Sequence, residues 1–153
     1  MRWLEHKIPP PIVGLLTGIG MWFVAKTSPS ITLDSQLRLT AAGLFVLAGL
    51  AVTLLGGAAF RKAKTTVNPL KPEAASTLVV FGIYHHTRNP MYVGFAMVLV
   101  GWSVFLSAPF ALLGPIFFVL FITRFQILPE ERVLGVKFGQ QFAQYTMKVR
   151  RWL

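Results

Sequence analysis

Cysteine is absent from this chain of 153 residues. Its absence excludes disulfides, thiolate metal ligands and a cysteine nucleophile, and leaves the redox compartment open. Charge is scarce as well: Asp, Glu, Lys and Arg make up 13% of the residues, about half the roughly 25% of a soluble domain. Acidic residues are the scarcest, five against fifteen Lys and Arg, for a formal charge of +10. With 54% hydrophobic residues and a mean hydropathy of +0.61, the composition argues against a soluble globular enzyme. Also missing are a glycine-rich phosphate loop, a Ser-His-Asp arrangement and a dinucleotide fingerprint; Gly56-Gly57 closes a hydrophobic stretch and follows no strand. His85 and His86 are adjacent, so their side chains diverge, and no third ligand stands at metal-binding spacing. No metal site is therefore expected. The basic residues lack the folded context of a nucleic-acid module, so nucleic acid is not an expected partner.

What the chain does have is long uncharged runs. Ile8–Ala25, Leu39–Phe60 and Asn89–Thr123 contain 18, 22 and 35 residues without Asp, Glu, Lys or Arg. A membrane-crossing helix needs about 20 mostly apolar residues, so the first two runs each fit one span. The third is too long for one and carries Ser107-Ala108-Pro109 near its middle. It reads as a tight hairpin of two. The expected fold is a single all-α domain over residues 1–153, a polytopic membrane bundle with spans at about 9–25, 39–60, 90–106 and 110–128. Three spans with a re-entrant segment is the alternative. In the four-span arrangement thirteen Lys and Arg fall on one side, leaving only Lys26 and Arg38 on the other. The positive-inside rule then places both termini in the cytoplasm of an inner-membrane protein. The first apolar run is longer than a signal-peptide core, follows three prolines and precedes no small-x-small cleavage site, so a retained span is expected. Within it, Gly14 and Gly18 have the spacing of a close helix-packing motif.

The segment after Pro129 differs in kind. Leu134, Phe138, Phe142, Tyr145, Val149 and Trp152 recur at steps of 4, 4, 3, 4 and 3, which is one face of a helix. With its accompanying basic residues, this predicts an amphipathic helix over 130–153 at the cytoplasmic interface, its apolar side against lipid or the bundle. The loop over 61–89 is longer than a connector requires.

Two polar groups stand on the same side. One is Gly82 to Gly94, Gly-Ile-Tyr-His-His-Thr-Arg-Asn-Pro-Met-Tyr-Val-Gly, leading into the third span. Asn89-Pro90 has the form of an N-cap and first helical residue; Arg88, Tyr84 and Tyr92 suit either a membrane rim or a site. The other is Pro129-Glu130-Glu131, two of the five acidic residues. It reads as a helix start with favourably placed carboxylates, yet carboxylates at a membrane boundary require partners. Arg124 lies seven residues before Glu131, close to the same face of a continuous helix, and either snorkels to headgroups or serves a site.

Together these groups resemble the membrane methyltransferases of the isoprenylcysteine carboxyl methyltransferase and phospholipid methyltransferase superfamily. The likeness runs from about Asn68 to the end of the chain. It begins with Asn68-Pro69 and Lys71-Pro72, then Leu78-Val79 ahead of Gly82-Ile83-Tyr84. Arg88-Asn89-Pro90-Met91-Tyr92 is similar to the family's Arg-His-Pro-x-Tyr element, with Asn89 where His is frequent. Glu130-Glu131 matches the family's acidic pair. Phe138-Gly139, Phe142 and Tyr145 resemble its Phe-Gly-x-x-Tyr-x-x-Tyr ending, with Phe142 lacking a hydroxyl. Four spans are few for the superfamily, so the chain resembles a small prokaryotic-type member.

The resemblance implies S-adenosylmethionine bound on the cytoplasmic side. Arg88 suits its carboxylate, and Glu130 and Glu131 suit its ammonium and ribose hydroxyls. Tyr84 or Tyr92 suits its sulfonium, and the backbone around Leu78 to Gly82 its adenine, with Asn89 and Pro90 in the same element. The products would be S-adenosylhomocysteine and a methylated lipophilic acceptor drawn from the bilayer. A carboxylate acceptor needs no base; for an amine or thiol, Glu131 is the candidate, and Arg124 is placed to orient an anionic acceptor. Two other readings compete: a nicotinamide-dependent membrane reductase of related architecture, and a non-catalytic small membrane protein. Transport is disfavoured because every acidic residue lies in a terminus, loop or rim.

Overall fold

The computed structural model describes residues 5, 7–65 and 75–153. Arg2, Asn68, Pro69, Lys71 and Pro72, which entered the charge count or the resemblance, lie outside the described residues. Those described form helices and connections, with no strand among them. The helices are α1 (Pro10–Thr27), α2 (Ser35–Lys62), α3 (Pro90–Leu106), α4 (Leu113–Ile122) and α5 (Leu128–Lys148). Short 3-10 turns occupy Gly82–His85 and Pro109–Leu112, and a π-helical turn spans Thr123–Ile127.

Local chemistry sets the ends. Asp34 caps α2, its carboxylate accepting from the Leu37 amide at 3.0 Å. Prolines open α1 and α3, where a missing amide hydrogen costs nothing. Ser107, in the left-handed region at φ 52°, turns the chain between α3 and Pro109, and its carbonyl accepts from the Ile31 amide at 2.7 Å.

Among the described residues, two helices are long and apolar enough to cross a bilayer: α2, and the continuous helix over Pro109–Lys148. Their outward faces carry large apolar side chains, with Leu47 and Leu54 each 66% exposed. A soluble monomer rarely shows so continuous an apolar surface; in lipid such a surface carries no penalty. The polar backbone is satisfied within the helices, as the hydrocarbon core requires.

Helix α3 is the centre of the bundle and packs against α1, α2 and α4. Its contact with α2 is made by small residues seven apart, Ala42, Gly49 and Gly56 on α2 and Gly94 and Gly101 on α3. A Cβ on Gly49 would stand 2.6 Å from the Gly94 carbonyl oxygen, and one on Gly101 2.9 Å from that of Ala42. A Cβ on Gly94 would collide with both Thr53 Oγ1 and the Gly49 carbonyl oxygen. This backbone-to-backbone seam is the close packing that small residues permit in membranes. Gly14 and Gly18, the pair expected to serve that purpose, instead meet the side chains of Phe118, Leu99 and Trp102 at 3.8–4.0 Å. On the other flank, Val13 and Met21 of α1, Leu99 of α3 and Phe118 and Ile122 of α4 form the main apolar core.

The tail differs from an independent interfacial helix. The chain passes from α4 into α5 without a break, and Pro129 sits just inside α5 rather than starting it from a loop. Proline there lacks an amide hydrogen and would press on the carbonyl four residues back. The π turn before it, closed by the Leu128 amide on the Thr123 carbonyl, widens the helix where that conflict arises. Gly139, at φ 48° and ψ −121°, breaks the helical path again. Beyond Lys148 the chain is extended, beginning at Val149 (φ −124°, ψ 132°). The apolar face of α5 is covered by the chain itself: Phe142, Tyr145 and Val149 pack with Leu78 and Val80.

The seam yields a paired prediction. Gly94→Ala forces α2 and α3 apart and costs on the order of 1–3 kcal/mol, read as a lower thermal midpoint in detergent. Gly57→Ala, one residue from the seam with nothing among the described residues within 4 Å of the added atom, leaves the midpoint unchanged or raises it.

Candidate functional site

The site forms where the start of α3, the start of α5 and the end of the chain meet. Gly82, at φ +63°, turns the chain into the 3-10 turn that carries Tyr84. The Tyr84 ring meets Phe60 edge-on at 5.5 Å, and its carbonyl accepts from the Tyr145 hydroxyl at 2.8 Å. Burial pushes the pKa of the Tyr84 hydroxyl well up, so it stays protonated. Thr87 is buried, and its hydroxyl accepts from the Asn89 amide at 3.2 Å. Asn89 stands at the N-cap position of α3, but its side chain makes no capping bond. Its Nδ2 donates instead to the Arg151 carbonyl at 2.9 Å.

The acidic pair then separates into two environments. Glu131 Oε1 accepts from Arg88 Nη2 at 2.8 Å and from Arg151 Nε at 3.0 Å, and Oε2 accepts from Arg151 Nη2 at 2.7 Å. The hydrogen bond to Glu131 raises the pKa of Arg151, holding it charged. Among the described residues no guanidinium pairs with Glu130. Its Oε1 accepts from the Tyr92 hydroxyl and from Gln126 Nε2, each at 2.8 Å. Adjacent carboxylates on a helix point apart, and here one is paired with cations and the other with neutral donors.

Between these groups lies a cavity of about 70 Å³, walled on one side by Leu78, Tyr84, Phe142 and Tyr145 and on the other by Arg88, Asn89, Glu130 and Glu131. Sites for small ligands usually measure roughly 300–1,000 Å³, so a ligand of nucleoside size enters only if the walls move outward. Arg88 Nε is buried and without a partner among the described residues, a donor left available on the cavity wall.

Of the residues singled out from sequence, Leu78, Tyr84, Arg88, Asn89, Glu130 and Glu131 line this cavity, and Tyr92 reaches it through Glu130. Gly82 shapes the approach, with nothing among the described residues within 4 Å of its would-be Cβ. Pro90 is buried against the α2 seam beside Gly56. Arg124 is not brought in. It stands 48% exposed, lies 5.5 Å from the Phe125 ring centroid and pairs with Glu5 at 3.3 Å. Arg132 shares Glu5 as a partner. Residues seven apart share a face in a regular helix, but the π turn adds a residue and rotates Arg124 away by about 100°. Sequence reasoning missed Gln126 and Arg151. Gln126 had a usable signal, a polar amide in an apolar run four residues before Glu130. Arg151 had none, standing among basic residues that all suited a membrane rim. His85 and His86 are both exposed, and no three His, Cys, Asp or Glu converge among the described residues.

Residues 37–141 match the profile of a family described as phospholipid methyltransferase. Over 63 residues the chain is 44% identical to an uncharacterized protein of Haemophilus influenzae, a match covering 41% of this chain and all of that protein. Over 83 residues it is 34% identical to protein-S-isoprenylcysteine O-methyltransferase B of Arabidopsis thaliana, covering 52% of this chain and 41% of the plant protein. No solved structure matches.

The break at Gly139 aims Phe142 and Tyr145 at the cavity. Gly139→Ala places a side chain in a backbone region that only glycine occupies easily, at a cost of about 1–3 kcal/mol. Its thermal midpoint in detergent falls. Gly135→Ala, in regular helix with only an ordinary contact at 3.8 Å, does not lower it.

Proposed function

Because this chain belongs to the phospholipid methyltransferase family, we propose that it is a membrane methyltransferase using S-adenosylmethionine and methylating a lipophilic acceptor at the cytoplasmic face. The carrying observation is the convergence of Arg88, Glu131 and Glu130 with Tyr84, Tyr145 and Leu78 on one cavity. The donor set suits that cofactor. Arg88 offers an unengaged buried N–H to an amino-acid carboxylate. Glu130 and Glu131 offer acceptors to an ammonium and to ribose hydroxyls, and the Leu78 and Phe142 side chains offer an apolar bed to a purine. S-adenosylmethionine supplies, when bound, an electrophilic methyl group on a sulfonium. The remaining work falls to the chain: binding, orientation and exclusion of water.

Both oxygens of Glu131, the base candidate from sequence, are engaged by guanidiniums, whereas Tyr92 and Gln126 hold Glu130 through one oxygen, which makes Glu130 the better candidate to receive a proton from an amine or thiol acceptor. A carboxylate acceptor needs no such group. The lipophilic character of the acceptor is supported by an apolar groove of about 1,000 Å³ along α1, α2 and α3, walled by Gly18, Val46, Phe95 and Trp102 among others. Phe95 lies one turn from Tyr92 on α3.

We further infer four membrane crossings, α1, α2, α3 and the α4 segment up to Leu128, with both termini and the cavity on the cytoplasmic side. The excess of Lys and Arg on that side supports this orientation. A chain without cysteine makes the test simple. Ser30→Cys is labelled by an impermeant maleimide in intact cells, whereas Gln140→Cys is labelled only after the cells are opened. The opposite pattern overturns the orientation.

The function is tested by titrating the detergent-purified protein with S-adenosylhomocysteine in a calorimeter. Binding is expected for the wild type, with a loss of tenfold or more in Arg88→Ala and in Glu131→Gln. NADPH is expected not to bind. Wild-type affinity in both variants removes the site assignment, and binding of NADPH alone replaces the methyl-transfer reading by a reductase.

A further inference from the structure

We propose that Arg151, delivered by the extended end of the chain, is a positioning residue of the donor site: by holding Glu131 at two points it keeps Arg88 available for the donor's carboxylate. The proposal rests on the methyl-donor reading above. Arg151 spans both oxygens of Glu131, at 3.0 and 2.7 Å, whereas Arg88 touches only Oε1, through Nη2 at 2.8 Å. A guanidinium has five N–H donors in a planar fork, and Arg88 directs only one of its nitrogens to Glu131. Its Nε is buried without a partner among the described residues, an arrangement that is costly unless a ligand brings an acceptor.

Charge balance points the same way. Two guanidiniums on one carboxylate leave that trio with a net positive charge, and the Nε edge of Arg88 takes no part in its contact with Glu131. Arg88 is on the cavity wall, with a side chain only 11% exposed; Arg151, 36% exposed, does not line the cavity. Without Arg151, Glu131 Oε2 loses the partner that the two-point contact provides. The carboxylate then turns to take Arg88 in a two-point fork of its own, which consumes the anion site.

The strap that presents Arg151 is held by bonds that do not involve its guanidinium. The Arg88 amide donates to the Arg150 carbonyl at 2.9 Å. The Arg151 carbonyl accepts from Thr87 Oγ1 at 3.2 Å and Asn89 Nδ2 at 2.9 Å. Trp152 Nε1 donates to Thr123 Oγ1 at 3.1 Å. Truncating the Arg151 side chain therefore leaves the strap in place.

The test compares two ligands, S-adenosylhomocysteine and 5′-methylthioadenosine, which lacks the amino-acid carboxylate; the weaker is measured by competition against the stronger. Wild-type protein is expected to favour S-adenosylhomocysteine. Arg151→Ala is expected to lose tenfold or more in that affinity while its affinity for 5′-methylthioadenosine stays within twofold. Arg151→Lys, which keeps the charge without the fork, should fall between. Lys148→Ala, at the exposed end of α5, should match the wild type for both. A parallel loss of both ligands makes Arg151 merely structural and overturns the proposal. So does an unchanged preference, or a wild type that does not distinguish the ligands. Wild-type protein that binds neither ligand overturns the methyl-donor reading itself, a different failure from one confined to the variant.

Discussion

The Glu131 carboxylate, fastened between Arg88 and Arg151, is the contact around which the charged groups at this end of the bundle are ordered. It joins three segments far apart in the chain: the loop entering α3, the first turn of α5 and the terminal strap. Placing such a pair away from water costs nearly as much as its attraction returns, so it orients the two guanidiniums more than it adds net stability. Both oxygens of the carboxylate find donors in a frame that the strap's bonds to the loop entering α3 hold as well. Glu130, next to it on the same helical turn, points in the other direction toward Tyr92 and Gln126.

The walls around this contact are held from the membrane side. The glycine seam brings α3 against α2 at backbone distance, so the residues that α3 presents at its start have a rigid base. On the other side, the continuous path from α4 into α5 ties the acidic pair to the apolar core through Ile122 and Ile127. Gly139 then redirects the chain so that Phe142 and Tyr145 close over Leu78. Rigid helices thus carry the charged groups, and the apolar lining comes from the loop and the tail.

The helices were largely legible in the sequence, because uncharged runs of the right length leave few alternatives in a chain so poor in charge. Arg88 and the Glu130-Glu131 pair were legible for a related reason: acids are so few that two in succession stand out. Other features were hidden. Glycine is common in apolar helices, and nothing local separates Gly49 and Gly94, which touch across a seam, from Gly14 and Gly18, which do not. The π turn has no compositional mark beyond the proline that follows it, and it alone removed Arg124 from the face of Glu131. Arg151 was invisible because a basic residue at the end of a membrane protein already has a sufficient explanation in the rim. Its partner lies 20 residues away, across a break at Gly139 and an extended strap that helical periodicity does not anticipate.

The π turn has a bearing on how such a chain can vary. Between Thr123 and Ile127 the path is one residue longer than an ordinary helix would make it, and everything beyond takes its rotational setting from that surplus. Exchanging one apolar side chain for another in this stretch would alter packing only slightly, whereas deleting a single position would swing the acids and their lining away from α3 together. The stretch is thus permissive about which residues it holds and strict about how many.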